Sequence, residues 1–247
     1  MFESIKNFFF VTLYQPLFNL LILLYNWIPG HDFGLAIIAL TILIRIILFP
    51  LSIRAVKSQA ALQKIQPKIQ EIQKKYKDDK EKQAREVLEL YKKEKINPFS
   101  ALMMGMVQIP ILIALYHVFW KGLDPNELTI LYSFVSSPGQ INSLFLNIID
   151  LSKPNLILAL IAGLVQYFQT KMLQPPKQKG APVNDFAKIM QTQMTYFLPF
   201  FTIIILISLP SALGLYWTTS GLFSIIQQYF ILRATKEKSQ SQNKTQT

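Results

Sequence analysis

The chain has 247 residues and a net charge of +11, and 51% of its residues are hydrophobic whereas only 16% are charged. A soluble domain carries about 25% charged residues, so this composition excludes an ordinary cytosolic enzyme and predicts an all-α polytopic membrane protein. The absence of cysteine excludes disulfides, thiolate metal sites and a thiol nucleophile. There is also no phosphate-binding G-x-x-x-x-G-K-[ST] motif, so we expect neither a metal nor a cofactor.

Residues 1–32 contain a stretch rich in phenylalanine and leucine, Ile5–Ile28, which polar residues and a proline interrupt: Asn7, Gln15, Pro16, Asn19 and Asn26. We interpret this stretch as an amphipathic helix that lies along the extracytoplasmic membrane surface. A sixth membrane span and an uncleaved signal sequence are the alternatives.

Five further segments in residues 33–232 are apolar over the roughly 20 residues that a membrane span needs. They are Phe33–Ile53, Pro98–Trp120, Pro154–Leu173, Thr192–Leu209 and Ser211–Leu232. Each is predicted to be a helix, because backbone amides cannot stay unpaired in lipid. The short link Leu209-Pro210-Ser211 predicts a tight antiparallel hairpin between the last two.

Basic residues are concentrated in segment 54–97 and in the tail 233–247, with a smaller group between the third and fourth spans, namely Lys177, Lys179 and Lys188. The loop after Trp120 carries few basic residues. The positive-inside rule therefore predicts a cytoplasmic location for the basic segments and the C-terminus. The N-terminus is then predicted to lie outside.

Segment 54–97 is predicted to form a helical hairpin. Apolar residues recur at spacings of three and four, first at Leu62, Ile65, Ile69, Ile72 and Tyr76, and, after a turn at Asp78-Asp79, at Ala84, Val87, Leu88 and Tyr91. Thirteen basic residues against seven acidic ones favour binding to anionic headgroups or ribosomal RNA. The alternative is that these charges serve solubility alone. No motif for sequence-specific nucleic-acid binding is present.

Arg45 stands near the middle of the first predicted span. A charge at that depth costs from about 2.5 to more than 10 kcal/mol, so we expect Arg45 to face a hydrated cavity. The alternatives are a snorkelling side chain or a bond to a carbonyl of another helix. Polar and small residues of the spans could line the same cavity: Thr41, Ser52, Gln108, Gln166, Gln169, Thr170, Gly214, Trp217, Thr218, Gly221, Ser224 and Gln228. For each of these alone, helix packing or interhelical hydrogen bonding is the better explanation. Taken together with the unpaired arginine, they favour a hydrophilic groove.

Several of these residues belong to longer motifs. These motifs are Thr41–Arg45 followed by Phe49-Pro50-Leu51, Gln66-Pro67 before the lysine-rich hairpin, Asn97-Pro98, Gln108–Ile111, Ala114–Tyr116, Leu213–Trp217 and Gln227-Gln228. In this order and at these spacings, from Phe33 to Leu232, they resemble the YidC-type membrane protein insertases (the YidC/Oxa/Alb family).

The resemblance implies a non-enzymatic insertase and chaperone of the bacterial plasma (inner) membrane, reduced to a core without a large extracytoplasmic domain. It implies a groove in which Arg45 attracts acidic residues in short extracytoplasmic segments of substrates. The expected groove residues are Arg45, Thr41, Gln108, Gln166, Tyr216 and Trp217. The hairpin would receive the substrate first, and its expected site residues are Gln66, Pro67, Lys74, Lys75 and Lys77.

The expected partners are nascent membrane proteins and the lipid bilayer, with the Sec translocon, the signal recognition particle pathway and the ribosome as further candidates. A small transporter or channel for an anionic solute, with Arg45 as its binding charge, is the alternative function. The inverted repeats typical of transporters are absent from the sequence.

Overall fold

A computed structural model describes residues 2–97, 99–122, 124–172 and 193–244. Lys177, Lys179 and Lys188 lie outside the described residues, as do the predicted span ends Pro98, Leu173 and Thr192. The chain forms two compact units. Unit 1 comprises Met1–Leu48, Met106–Tyr167 and Pro199–Phe223, and unit 2 comprises Phe49–Gly105, Phe168–Leu198 and Ser224–Thr247.

The described segments are mostly helical. In chain order the helices are α1 (Phe2–Phe9), α2 (Gln15–Trp27), α3 (Phe33–Ile47), α4 (Phe49–Lys75), α5 (Lys80–Lys93), α6 (Phe99–Lys121), α7 (Leu156–Met172), α8 (Leu198–Leu206) and α9 (Ser211–Lys244). Wide π-helical turns precede α2 (Phe10–Tyr14) and α8 (Gln193–Phe197), and a 3-10 turn (Pro125–Ile130) follows α6. Strands β1 (Leu144–Phe145) and β2 (Ile149–Asp150) pair antiparallel, with Leu144 opposite Asp150.

The predicted segment Phe33–Ile53 is not a single helix. Helix α3 ends at Ile47 and α4 begins at Phe49, because Pro50 has no N–H to donate to the carbonyl of Ile46 and the hydrogen-bond ladder stops there. Arg45 therefore lies in the last turn of α3, not in the middle of a helix.

By length and apolarity, Glu3–Trp27 is the one described helix that could cross a membrane unbroken. The pair α3 and α4 qualifies only if both are counted as one broken span, and the segments Gly105–Lys121, Leu156–Met172 and Thr195–Leu206 are apolar but shorter. The five predicted spans thus correspond to apolar helices of unequal length, and the number that cross the bilayer stays a prediction.

The core of unit 1 packs α2 against α3. Gly30 (φ +80°) and His31 (φ +49°) reverse the chain between the two helices, and Asp32 caps α3 by accepting the Leu35 N–H at 2.9 Å. Phe18 and Leu21 of α2 and Ile37 of α3 are completely buried in the resulting cluster.

Polar side chains of α2 hold the loop that follows α6. Asn19, only 2% exposed, accepts the Tyr132 N–H at 2.6 Å and donates to the Ile130 carbonyl at 3.3 Å. Asn26 donates to the Ser136 carbonyl at 2.7 Å, and Tyr25 Oη accepts the Asn142 N–H at 3.0 Å. Asn19 and Asn26, two of the residues that interrupt the apolar stretch, therefore bind this loop.

The same loop supports the start of α9. The N–H groups of Ser211 and Ala212 donate to the carbonyls of Lys153 and Leu151 at 2.9 and 3.1 Å. The first N–H groups of a helix have no partner within it, so the loop supplies the acceptors that α9 needs.

In unit 2, α4 and α5 form an antiparallel hairpin. Ile65 and Ile69 of α4 are buried, and the Lys68 ammonium contacts the Glu94 carboxylate at 2.5 Å. The turn ends at Asp79, whose carboxylate accepts the Lys82 N–H at 2.9 Å and so caps α5.

The face that α5 turns toward α4 agrees with the prediction only in part, since Val87 and Tyr91 are half-buried. Leu88 is 56% exposed and Ala84 is also exposed, whereas Val87 and Leu90 are half-buried and Gln83 Nε2 donates to the Gln73 carbonyl at 2.9 Å.

Candidate functional site

The Arg45 guanidinium lies in unit 1, where α3 meets the first half of α9. Its Nε donates to Ser220 Oγ at 2.8 Å, and a terminal guanidinium nitrogen donates to the same oxygen. Within the described ranges, no ion pair includes Arg45. A neutral hydroxyl therefore holds this cation, and its charge is not neutralised by a carboxylate there.

Tyr216 and Gln108 extend the contact to a third helix. Tyr216 is buried one turn before Ser220 on α9, a spacing that places both side chains on one face. The two hydroxyls are hydrogen bonded to each other, and Gln108 Nε2 of α6 donates to Tyr216 Oη. We call Arg45, Ser220, Tyr216 and Gln108 the arginine network, and it joins α3, α9 and α6.

Trp217 and Gln166 form a separate pair. The indole Nε1 donates to Gln166 Oε1 at 2.8 Å, which links α9 to α7. Because Trp217 follows Tyr216 directly in a helix, its side chain points about 100° away. The predicted groove residues are thus divided between the arginine network and this pair.

Thr41 hydrogen bonds within its own helix. Its side chain is buried, and its hydroxyl donates to the Ile37 carbonyl of its own helix at 2.6 Å. A helical threonine often bonds the preceding turn in this way, so a shared face with Arg45 does not by itself place Thr41 in the site.

Ser220 is the residue of the arginine network that the sequence does not single out. A serine in an apolar helix ordinarily indicates close packing, and α9 contains several small residues that look alike in sequence. The signal in the sequence is that Ser220 follows Tyr216 by four residues, a spacing that places both side chains on one face of a helix.

Further predicted residues lie in unit 2. Gln227 Nε2 of α9 donates to Ser52 Oγ of α4, and the buried Gln228 Oε1 has no hydrogen-bond partner in the part of the chain that the structure describes.

The predicted hairpin residues lie on α4 and the turn that follows it. Pro67 lies inside α4 and Gln66 is half-buried, whereas three lysines are exposed, namely Lys74, Lys75 and Lys77. The Lys75 ammonium lies 5.3 Å from the centroid of the Tyr76 ring, a cation–π contact. The described residues contain no cluster of His, Asp and Glu that could hold a metal ion.

Large apolar side chains are exposed on several helices, among them Ile109, Ile113, Leu160, Leu164, Phe200 and Ile204. Apolar helices that expose such residues while holding a polar network inside are typical of an all-α membrane protein. The chain belongs to the 60Kd inner membrane protein family, whose family model matches residues 23–239. This assignment confirms the resemblance and indicates an inner-membrane location.

Individual relatives agree with the family. The chain is 32% identical over 213 residues to proteins named "Membrane protein insertase YidC" from Francisella tularensis subsp. novicida (strain U112) and subsp. tularensis (strain SCHU S4 / Schu 4). Each match covers 84% of this chain and 35% of the relative. The chain thus spans about a third of the length of the curated relatives it matches.

Proposed function

We propose that this chain is a membrane protein insertase and chaperone, and that it acts without covalent chemistry. The name of its relatives supports the general activity. The observation that carries the proposal for this chain is the arginine network, which keeps a cation on apolar helices without an acidic partner among the described residues.

The network leaves Arg45 able to bind a substrate. A guanidinium has five N–H donors, and the contacts with Ser220 use two of them. The remaining donors can hold a carboxylate from a short extracytoplasmic segment of a nascent membrane protein. Such pairing lowers the cost of moving that carboxylate through the apolar layer.

The groove of this proposal consists of Arg45, Thr41, Gln108, Gln166, Tyr216 and Trp217, with Ser220 added. The α4–α5 hairpin and the C-terminal tail are cytoplasmic, the N-terminus is outside, and five helical segments cross the inner membrane. Burial of substrate apolar surface in lipid drives insertion, and the membrane potential contributes about 2.3 kcal/mol per charge per 100 mV. The Sec translocon, the signal recognition particle pathway and the ribosome are candidate partners.

The test is insertion of a single-span substrate into proteoliposomes that contain the purified chain. Substrates with an acidic tail and with a neutral tail of equal length are compared. We expect Arg45→Ala to reduce insertion of the acidic-tail substrate about tenfold, equivalent to about 1.4 kcal/mol of lost charge stabilisation. The neutral-tail substrate should insert normally, and Arg45→Lys should retain part of the activity because it keeps the cation.

Arg54→Ala is the matched control, because Arg54 is an exposed arginine near the start of α4. If Arg45→Ala reduced insertion of the acidic-tail and neutral-tail substrates equally, Arg45 would be a structural residue. Insertion that does not depend on the chain, together with flux of anionic solutes, would replace the insertase with a transporter.

A further inference from the structure

Helices α6, α8 and α9 line a partly open apolar cavity of about 260 Å³ within unit 1. Leu112 and Ile113 of α6, Ile205 and Leu206 of α8, and Leu213 and Trp217 of α9 form most of its wall. Almost the whole of the lining surface is apolar. This cavity is separate from the polar contacts of the arginine network.

The cavity opens on the exposed apolar surface of the same helices. Ile113 and Ile205 at its edge are 45% and 41% exposed, and Ile109 and Ile204 continue that surface. In a member of an inner-membrane family, a surface of this kind faces lipid chains. The mouth of the cavity is therefore accessible to hydrocarbon.

Water is a poor occupant, because a buried water needs two to four polar partners. An empty cavity forfeits the dispersion contacts of its wall. An inserted helix is too large, because a cylinder about 10 Å wide and three turns long has a volume well above that of the cavity. A segment of a flexible hydrocarbon chain is thin enough to enter and matches the apolar lining.

We propose that the acyl chain of a bilayer lipid occupies this cavity and packs against Trp217. The indole is suited to report on the chain, because its Nε1 bond to Gln166 at 2.8 Å fixes the ring. Replacing the exposed Trp27 and Trp120 with phenylalanine leaves Trp217 as the one tryptophan of the three in the sequence.

The test uses this single-tryptophan protein in phosphatidylcholine vesicles with bromine atoms at the middle of the acyl chain, and without any substrate. We expect the brominated lipid to quench Trp217 fluorescence strongly. Ile205→Phe should reduce that quenching about twofold, because a larger side chain fills the space that the acyl chain uses. Ile204→Phe is the control, because Ile204 is equally exposed at 44% but lies outside the cavity wall.

A second pair of variants, Ile113→Phe and Ile109→Phe, controls for misfolding. Ile113 of α6 lines the cavity, and Ile109 does not. Equal quenching in all four variants would overturn the proposal, since annular lipid outside the cavity would then explain the signal. Quenching that falls as the protein-to-lipid ratio rises would also overturn it and identify a second copy of the chain as the occupant.

Discussion

Ser220 holds the Arg45 cation through a hydroxyl rather than a carboxylate, and this choice has energetic consequences. A carboxylate at this position would neutralise the charge and occupy its donors, whereas a hydroxyl accepts two N–H groups and leaves the charge in place. The hydroxyl also orients the guanidinium. Ser220 is therefore a positioning residue for Arg45 in the proposed groove.

Removing that hydroxyl is expected to destabilise the chain modestly. Ser220→Ala should cost about 0.6 to 1.7 kcal/mol, near the upper end because the donor is charged. The Tm in detergent should fall accordingly. In an Arg45→Met background the same substitution should cost less, since the hydrogen bonds are already lost. An equal fall in Tm in both backgrounds would show that Ser220 acts through packing and not through Arg45.

Asp150, at the end of β2, is predicted to make stability dependent on pH. The Ser152 hydroxyl and the Lys153 ammonium, with contacts at 2.5 and 2.9 Å, hold the pKa of this carboxyl well below its usual range. A carboxyl whose pKa falls on folding stabilises the fold above its unfolded pKa of about 3.9, and that contribution is lost as the pH falls below this value.

Asp150→Asn should therefore lower Tm by a constant amount between about pH 7 and pH 5, and the difference from the parent should shrink below about pH 4. Asp78→Asn, at an exposed residue of the α4–α5 turn, is the control. A difference that stays constant down to pH 3 would exclude the ionised carboxylate as the cause.

How far the sequence predicts individual residues depends on how unusual each residue is in its segment. Arg45 and Gln108 stand out because charged and polar residues are costly in apolar helices, and the structure brings both into one network. Thr41 and Ser220 do not stand out, because a hydroxyl can bond its own helix or a neighbour with the same spacing. Only the three-dimensional arrangement separates these two cases.

At the scale of elements, α2 and the loop after α6 form one hydrogen-bonded assembly. Gln15 and Asn19 both donate to the Ile130 carbonyl, and Tyr14 donates to the Glu127 carboxylate at 2.7 Å. From sequence, these polar residues of α2 look like interruptions of an apolar stretch. Their partners are more than 100 positions away, which periodicity within one segment cannot reveal.

Asn19→Leu should release this loop. The Tyr132 N–H would lose its acceptor, and an unpaired buried polar group costs about 1–3 kcal/mol. We expect faster amide hydrogen exchange in residues 127–136, with exchange in the α4–α5 hairpin unchanged. Asn7→Leu, at an exposed position of α1, should leave both segments unchanged. Faster exchange throughout the chain would instead indicate that Asn19 supports the whole of unit 1.

Helix ends are also set by details that hydropathy does not contain. An apolar window predicts one helix from Phe33 to Ile53, but Pro50 ends the hydrogen-bond ladder and a new helix begins at Phe49. The heptad pattern predicts a helical partner for α4, and the cap at Asp79 fixes where that partner begins. Composition thus predicts helices, whereas single capping and breaking residues fix their bounds.

For the molecule as a whole, the location of α2 affects the number of spans. The helix Glu3–Trp27 is long and apolar enough to cross a membrane. Polar side chains from Tyr14 to Asn26, however, hydrogen bond to the 127–142 loop along about 18 Å of helix. In a span, this loop would lie deep in the hydrocarbon layer, which is about 30 Å thick. Irregular backbone is tolerated at that depth only where protein buries it, so the contacts favour a surface location.

Single-cysteine labelling tests this topology directly, because the chain contains no cysteine. The exposed residues Ser4, Lys80 and Ser133 are each replaced by cysteine and treated with a membrane-impermeant maleimide in intact spheroplasts. If α2 lies on the outer surface, cysteines at 4 and 133 should react at once, and the cysteine at 80 should react only after permeabilisation, as the positive-inside rule requires for the basic hairpin. If α2 is a span, the cysteine at 4 should be protected together with the one at 80. That result would add a sixth span and place the N-terminus in the cytoplasm, while the location of the loop and the hairpin would stay as proposed.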